Sequence, residues 1–317
     1  MMRRAPSGLR RACWASCRPI SSTTGAADTL HPVVDVAPLL DPTPDPQRYA
    51  ETVFAIGDAL RRRGYFYAAG VSPLPPDYIA ETYGYLRRLH RLPQATKKRF
   101  ASDNGSGGGY SGADVGVDEL AYEAGSTSTV RSWDYSPVGV NRRASAERYP
   151  GSDVIQPAFG EYAAELYERQ NELARALMVG FAEALELPKA TFSDMFGSAE
   201  EGGKEGKGDL GTIRLLCYPG VSGQLSEQEL ATANHGISAH TDFEAFTLMH
   251  QDQPGLQFLP ASTGEGSEGG EGGEGEWVDA PVRPGEFVVI VGDVLERFTN
   301  GVLKATPHKV LLQDPCC

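Results

Sequence analysis

From Thr212 onward the chain is a succession of short β-branched and apolar runs, at 213–218, 239–250, 256–259, 277–282, 287–291 and 306–312, set apart by Pro and Gly turns. Strands this short and this closely spaced bury one face each against a second sheet, which confines this part of the chain to an all-β sandwich or jelly roll. Between two of the runs, residues 264–276 hold five Glu and no apolar side chain. Such a stretch has nothing to bury, and the expectation is a disordered surface loop.

Ahead of this region the periodicity changes. Residues 31–36 read as a strand and are followed by a helix with Asp45 as N-cap, Pro46 in its first turn, Val53, Ile56 and Leu60 on one face and Gly64 as its stop. Residues 65–69 read as a second strand. Pro76 opens a further helix whose face runs through Ile79, Tyr83, Leu86 and Leu89 until Pro93 closes it. The Gly- and Ser-rich residues 102–112 suit a mobile loop. Residues 157–187 carry Tyr162, Leu166, Leu173, Leu177, Phe181 and Leu185 at helical spacing, the pattern of a helix backing a core. A Gly- and charge-rich linker at 197–211 follows. The expected fold is therefore α+β: an N-terminal αβ region at 31–100, a loop, supporting helix and linker at 101–211, and a β domain at 212–317.

Composition narrows the function classes. A hydrophobic fraction of 40% supports a substantial core, and no run of eighteen apolar residues offers a membrane span. A net charge of −13 argues against nucleic acid and leaves small molecules as partners, with a monomer as the simplest state. Residues 1–27 carry Arg3, Arg4, Arg10, Arg11 and Arg18 and no acid, the composition of a transit peptide, so a mitochondrial or plastid address is expected, and the cytoplasm otherwise. The five cysteines form no disulfide framework or zinc pattern, and Cys217 reads as a buried thiol in a reducing compartment. Two literal G-x-G-x-x-G matches, at 107–112 and 264–269, lack the strand-to-helix context of a dinucleotide site.

The chemistry centres on His240-Thr241-Asp242. On a strand, residues two apart share a face, so an imidazole and a carboxylate reach one ion while Thr241 points away. With six His and 42 acidic residues, about one such triplet is expected by chance, so by itself it decides nothing. A third ligand, His308, would complete two neutral nitrogens and one carboxylate on one side of a metal. That facial set leaves positions open for a chelating co-substrate and O2, and it suits non-haem iron(II).

The surrounding blocks are specific. Ile213-Arg214-Leu215-Leu216-Cys217-Tyr218-Pro219, Gly236-Ile237-Ser238-Ala239-His240-Thr241-Asp242, Gly255-Leu256-Gln257-Phe258, Pro284-Gly285-Glu286-Phe287-Val288-Val289 and Lys304-Ala305-Thr306-Pro307-His308-Lys309-Val310 occur in one order. In that order the chain resembles the 2-oxoglutarate- and Fe(II)-dependent dioxygenases of the isopenicillin N synthase-like family, and residues 31–100 resemble the family's N-terminal region. The resemblance implies a double-stranded β-helix, or jelly roll, with iron on His240, Asp242 and His308, and Tyr218 hydrogen-bonded to a carboxylate of 2-oxoglutarate. It also implies O2 as co-substrate, ascorbate as an optional reductant, and hydroxylation or desaturation of a small organic molecule.

One departure stands out. The family continues past its distal histidine to an Arg-x-Ser pair on an eighth strand, whereas here Cys317 lies nine residues past His308 and no arginine intervenes. The expectation is a jelly roll lacking its eighth strand, from an incomplete or alternatively ended product. Lys309, next to a ligand on a strand, should face away and cannot substitute. Two other functions remain open: an oxidase of the same fold that needs no 2-oxoglutarate, and a catalytically inactive jelly-roll binding protein. His31, His90 and His235 read as structural or exposed, His250 as packing, Arg214 as a strand residue, and Trp133 and Tyr135 equally as pocket lining or core.

Overall fold

The computed structural model describes residues 30–102, 108–115, 130–136, 148–196, 211–218, 235–260 and 276–311. The expected presequence, the linker, the acidic insert and the segment after Leu311, where an eighth strand was expected to be lacking, lie wholly or mainly outside the described residues. No helix among the described residues is long and apolar enough to cross a membrane.

The N-terminal reading holds closely. After β1 (Val33–Asp35) and the short α1 (Ala37–Leu40), α2 spans Pro46–Arg63. The Asp45 carboxylate accepts hydrogen bonds from the Gln47 and Arg48 amides at 3.1 and 2.9 Å, satisfying two of the helix's orphan donors. Gly64 ends it at φ +71°, with its N–H on the Leu60 carbonyl at 3.0 Å. β2 (Tyr65–Ala69), α3 (Pro76–His90) and α4 (Gln94–Arg99) follow.

The Gly/Ser-rich stretch departs from expectation. Instead of a loop throughout, Gly109–Ser111 forms β3, paired with β4 (Arg131–Tyr135), which pairs in turn with β5 (Ile213–Cys217). The cause is Tyr110, which is fully buried with its ring 5.0 Å from that of Trp133 and its hydroxyl 2.9 Å from Asp114 Oδ1. One aromatic anchor outweighs the composition around it.

The long helix, α5 (Phe159–Ala184), buries Tyr162, Leu166, Leu173, Leu177 and Phe181 as its spacing predicts, packs on α2, and is followed by α6 (Thr191–Phe196). The single β run expected at 239–250 is instead two strands in different sheets, β6 (His235–His240) and β7 (Phe246–Met249). The remaining elements are β8 (Leu256–Phe258), β9 (Val278–Asp279), β10 (Phe287–Val291), α7 (Asp293–Phe298) and β11 (His308–Leu311).

The jelly roll is formed by a sheet ordered β1-β2-β10-β7 facing one ordered β6-β11-β8-β9. β10 is buried on both faces, hence its unbroken apolar sequence. Phe287, Val289 and Val291 turn toward the helices, while Val288 and Ile290 turn inward to join Tyr65, Tyr67, Leu256 and Phe258 between the sheets. Among the described residues β5 and β7 each end their own sheet.

Candidate metal centre

β6 and β11 are neighbours in the second sheet, and their register sets His308 opposite His240 with ring centroids 4.4 Å apart. Asp242 arrives by a different route from the one expected. β6 ends at His240, so the carboxylate is placed by a turn rather than by strand alternation. That turn is pinned from α7: the Asp293 amide donates to the Asp242 carbonyl at 2.7 Å and the Gly292 amide to the Ala245 carbonyl at 3.0 Å. A methyl group at Gly292 would lie 2.0 Å from the Glu244 carbonyl oxygen and 3.0 Å from that of Asp242, so the turn closes only over a glycine. Gly292 had carried no signal as a site residue.

The Nε2 atoms of His240 and His308 lie 3.7 and 3.5 Å from Asp242 Oδ1, and the three donors fall within 4.8 Å of one another. Ligand bonds of about 2.1 Å at right angles would hold donors about 3 Å apart, so this set needs only slight closure to share one ion. Each imidazole is oriented from behind: His240 Nδ1–H donates to the Ser238 carbonyl at 2.8 Å and His308 Nδ1–H to the Thr306 carbonyl at 3.2 Å. These bonds select the tautomer whose Nε2 lone pair faces Asp242. Burial also holds the His308 imidazole below its ordinary range, against the opposing pull of Asp242, which favours the neutral form a ligand requires. Asp242 Oδ2 is buried with no hydrogen-bond partner. A desolvated carboxylate oxygen beside two inward lone pairs is a donor set that a divalent metal fits.

Tyr218 follows β5, and its ring lies against the start of β6, where a methyl group on Gly236 would meet Tyr218 Cδ1 at 2.5 Å. It thus flanks the strand that ends in His240. Lys309 turns away from the site, as expected, with its ammonium 4.2 Å from the centroid of the Trp277 ring. Trp133 resolves as core, with Tyr110 and Phe159 around it, while Tyr135 is half-buried against Tyr149 and Tyr167. Arg214 is exposed and lies 3.3 Å from Asp134. Cys217 forms no disulfide among the described residues and is half-buried rather than buried. His250 packs beside Phe287 and shares a 2.9 Å hydrogen bond with the Tyr83 hydroxyl. His90 makes a 3.2 Å hydrogen bond to the Leu215 carbonyl.

Residues 212–315 match the model of the 2OG-Fe(II) oxygenase superfamily, and residues 31–132 match that of the N-terminal region of the non-haem dioxygenases in morphine synthesis. The chain belongs to the 2OG-Fe(II) oxygenase superfamily. Among its relatives, a homoarginine-6-hydroxylase of Glycine max is 28% identical over 88% of this oxygenase and 80% of the relative. A 2-oxoglutarate-Fe(II) type oxidoreductase of Emericella nidulans is 25% identical over 90% of this oxygenase and 76% of its own length. The fold matches that of a full-length Neurospora crassa protein solved in complex with alpha-KG, at TM-score 0.68 and 20% identity over 90% of this chain and 80% of that one.

Proposed function

We propose that this oxygenase binds Fe(II) through His240, Asp242 and His308, takes 2-oxoglutarate as co-substrate beside Tyr218, and hydroxylates a small organic molecule. The observation that carries the reading is the convergence of two imidazoles, each held by a backbone carbonyl in the metal-binding tautomer, on one oxygen of the Asp242 carboxylate. When bound, ferrous iron in such a set supplies O2 activation coupled to decarboxylation of 2-oxoglutarate to succinate. The chain's own residues do the rest. Asp242 cancels one of the two metal charges, and the turn under Gly292 keeps it aimed. Ser238 and Thr306 hold the rings, and the apolar interior around Phe258 and Ile290 keeps water from the inner side. Hydroxylation is favoured over desaturation by relatives named as homoarginine-6-hydroxylases and a proline hydroxylase.

Anaerobic addition of Fe(II) and then 2-oxoglutarate should produce a visible charge-transfer band. Admission of O2, with ascorbate to keep the iron ferrous, should then release succinate, faster with the right member of a substrate panel. No band and no succinate from protein that binds Fe(II) would defeat the 2-oxoglutarate reading and favour the oxidase. Failure to bind iron at all would favour the inactive binding protein.

A further inference from the structure

The ring contacts around the proposed ligands continue past them. His308 faces Phe258 across the β11–β8 pair, with centroids 6.1 Å apart. Phe258 stacks on Tyr65 of β2 at 4.0 Å with planes 14° apart. Tyr65 is wholly buried, and its hydroxyl lies 3.1 Å from Nδ1 of His31, a half-buried side chain just ahead of β1. A string of rings thus runs from a ligand to an imidazole within reach of water.

Stacking alone asks only for a ring, which phenylalanine would supply. What sets Tyr65 apart is a hydroxyl in the interior within hydrogen-bond reach of a base. Its neighbour Tyr67 provides the contrast: that hydroxyl donates to the Pro281 carbonyl at 3.0 Å, an acceptor that cannot take a proton. Burial raises the Tyr65 phenol well above its ordinary range, so it stays protonated until oxidised. His31 is lowered by burial and by the nearby Arg283 and Arg63, against the pull of a backbone hydrogen bond at Asp279, and in the tautomer protonated at Nε2 its Nδ1 accepts from the Tyr65 hydroxyl.

We propose that Tyr65, paired with His31, is a redox site that donates one electron to the iron centre when O2 has been activated there without substrate. The inference rests on the iron reading above. Tyr65 would give up one electron across the Phe258 and His308 contacts to the iron that His240, Asp242 and His308 would hold, lowering its oxidation state by one. The phenolic proton moves along the existing hydrogen bond to His31 Nδ1, leaving a neutral tyrosyl radical and an imidazolium. A one-electron reductant of the ascorbate class then returns an electron to Tyr65, and His31 returns the proton. The arginines near His31 disfavour a lasting imidazolium, which speeds that return. The oxidising equivalent is spent on a residue that can be restored rather than on the ligands themselves.

The test uses the full chain loaded anaerobically with Fe(II) and 2-oxoglutarate, first checked for its charge-transfer band, then exposed to O2 without substrate and freeze-quenched for electron paramagnetic resonance. A tyrosyl radical is expected in the wild type and in Tyr67→Phe, and its loss in Tyr65→Phe. In His31→Gln, which keeps the phenol and removes the base, the radical should form more slowly and in lower yield. Tyr65→Phe should also lose activity after fewer substrate-free turnovers, while its initial rate with substrate stays unchanged. No radical in band-forming protein, or the same radical in Tyr65→Phe, overturns the redox role and leaves the iron reading standing. Absence of the band overturns the iron reading and this inference with it. If Tyr65→Phe does not fold, the His31→Gln result decides alone, an unchanged radical yield and rate counting against the proposal.

Discussion

Asp242 Oδ2 has been taken from water and given no hydrogen-bond donor in exchange, which costs on the order of 1–3 kcal/mol while no cation is present. Asp242→Asn should therefore leave the metal-free protein as stable as the wild type or more so, while removing the stabilisation that metal provides. At one hundred times its dissociation constant a ligand contributes about 2.7 kcal/mol. Thermal unfolding with and without Mn(II), a redox-inert stand-in for Fe(II), measures both effects, and an equal metal-induced rise in wild type and variant would remove Asp242 from the ligand set. At this scale the three donors were legible in the sequence because the His-x-Asp triplet and the distal histidine sit inside ordered blocks. The means of holding them was not. Gly292 matters through its approach to the Glu244 carbonyl, and no local pattern announces contact with a backbone atom so far along the chain. Gly292→Ala should push that carbonyl aside, misaim Asp242 and weaken metal binding by about 10-fold or more, as loss of a supporting contact commonly does. Mn(II) titration followed by calorimetry checks it, and unchanged affinity would mean that the turn tolerates the methyl group.

The strand that carries His308 is anchored to the end of α2. Gly64 sits at φ +71°, and a methyl group there would lie 2.2 Å from both the Lys304 carbonyl oxygen and Thr306 Oγ1. The Thr306 hydroxyl donates to the Arg63 carbonyl at 2.6 Å, and the Thr306 carbonyl is the acceptor that orients His308. Gly64→Ala combines a left-handed backbone penalty of about 1–2 kcal/mol with displacement of this segment, so the expected loss is about 2 kcal/mol or more. Urea unfolding should report the loss, and Mn(II) titration should show weaker binding, because the Thr306 carbonyl moves with the segment. A variant that lost stability but kept full metal affinity would show the anchor to be structural only. Elements with several turns or a strong cap, such as α2, α3 and α5, were readable from spacing. α4, α6 and α7 have six residues each, too few for a helical period to show. The division of 239–250 was hidden for a related reason: residues 241–245, Thr-Asp-Phe-Glu-Ala, contain neither glycine nor proline to mark where the chain leaves one sheet for the other.

Across the molecule, β2 lies between β1 and β10, so the N-terminal region completes a jelly-roll sheet rather than standing beside it. Local periodicity revealed both regions but not this pairing, which depends on contacts distant in sequence. α3 closes the other side of the same assembly through two histidines: His90 reaches the Leu215 carbonyl on β5, and Tyr83 reaches His250 just after β7. Burial lowers His90 from 6.5 to about 4, the strongest contribution among its causes, and lowers His250 as well. A lowered folded-state pKa means that the unfolded chain takes up protons first as pH falls. The stability held by the neutral His90 imidazole is thus complete above about pH 6.5, declines between pH 6.5 and about 4, and is fully lost once the folded form protonates too, and the contribution of His250 falls in the same direction below about pH 6.5. For His90 the displacement corresponds to at most about 3 kcal/mol, which partial water access reduces to nearer 2. His90→Gln keeps a donor for the Leu215 carbonyl and cannot titrate, so its unfolding free energy should fall less steeply than the wild type's across that window while differing little at pH 7.5. Adding His250→Gln should flatten the profile further. Parallel curves for wild type and both variants, from urea unfolding at half-unit pH steps, would move the acid sensitivity away from the α3 contacts and onto the cluster of His240, Asp242 and His308.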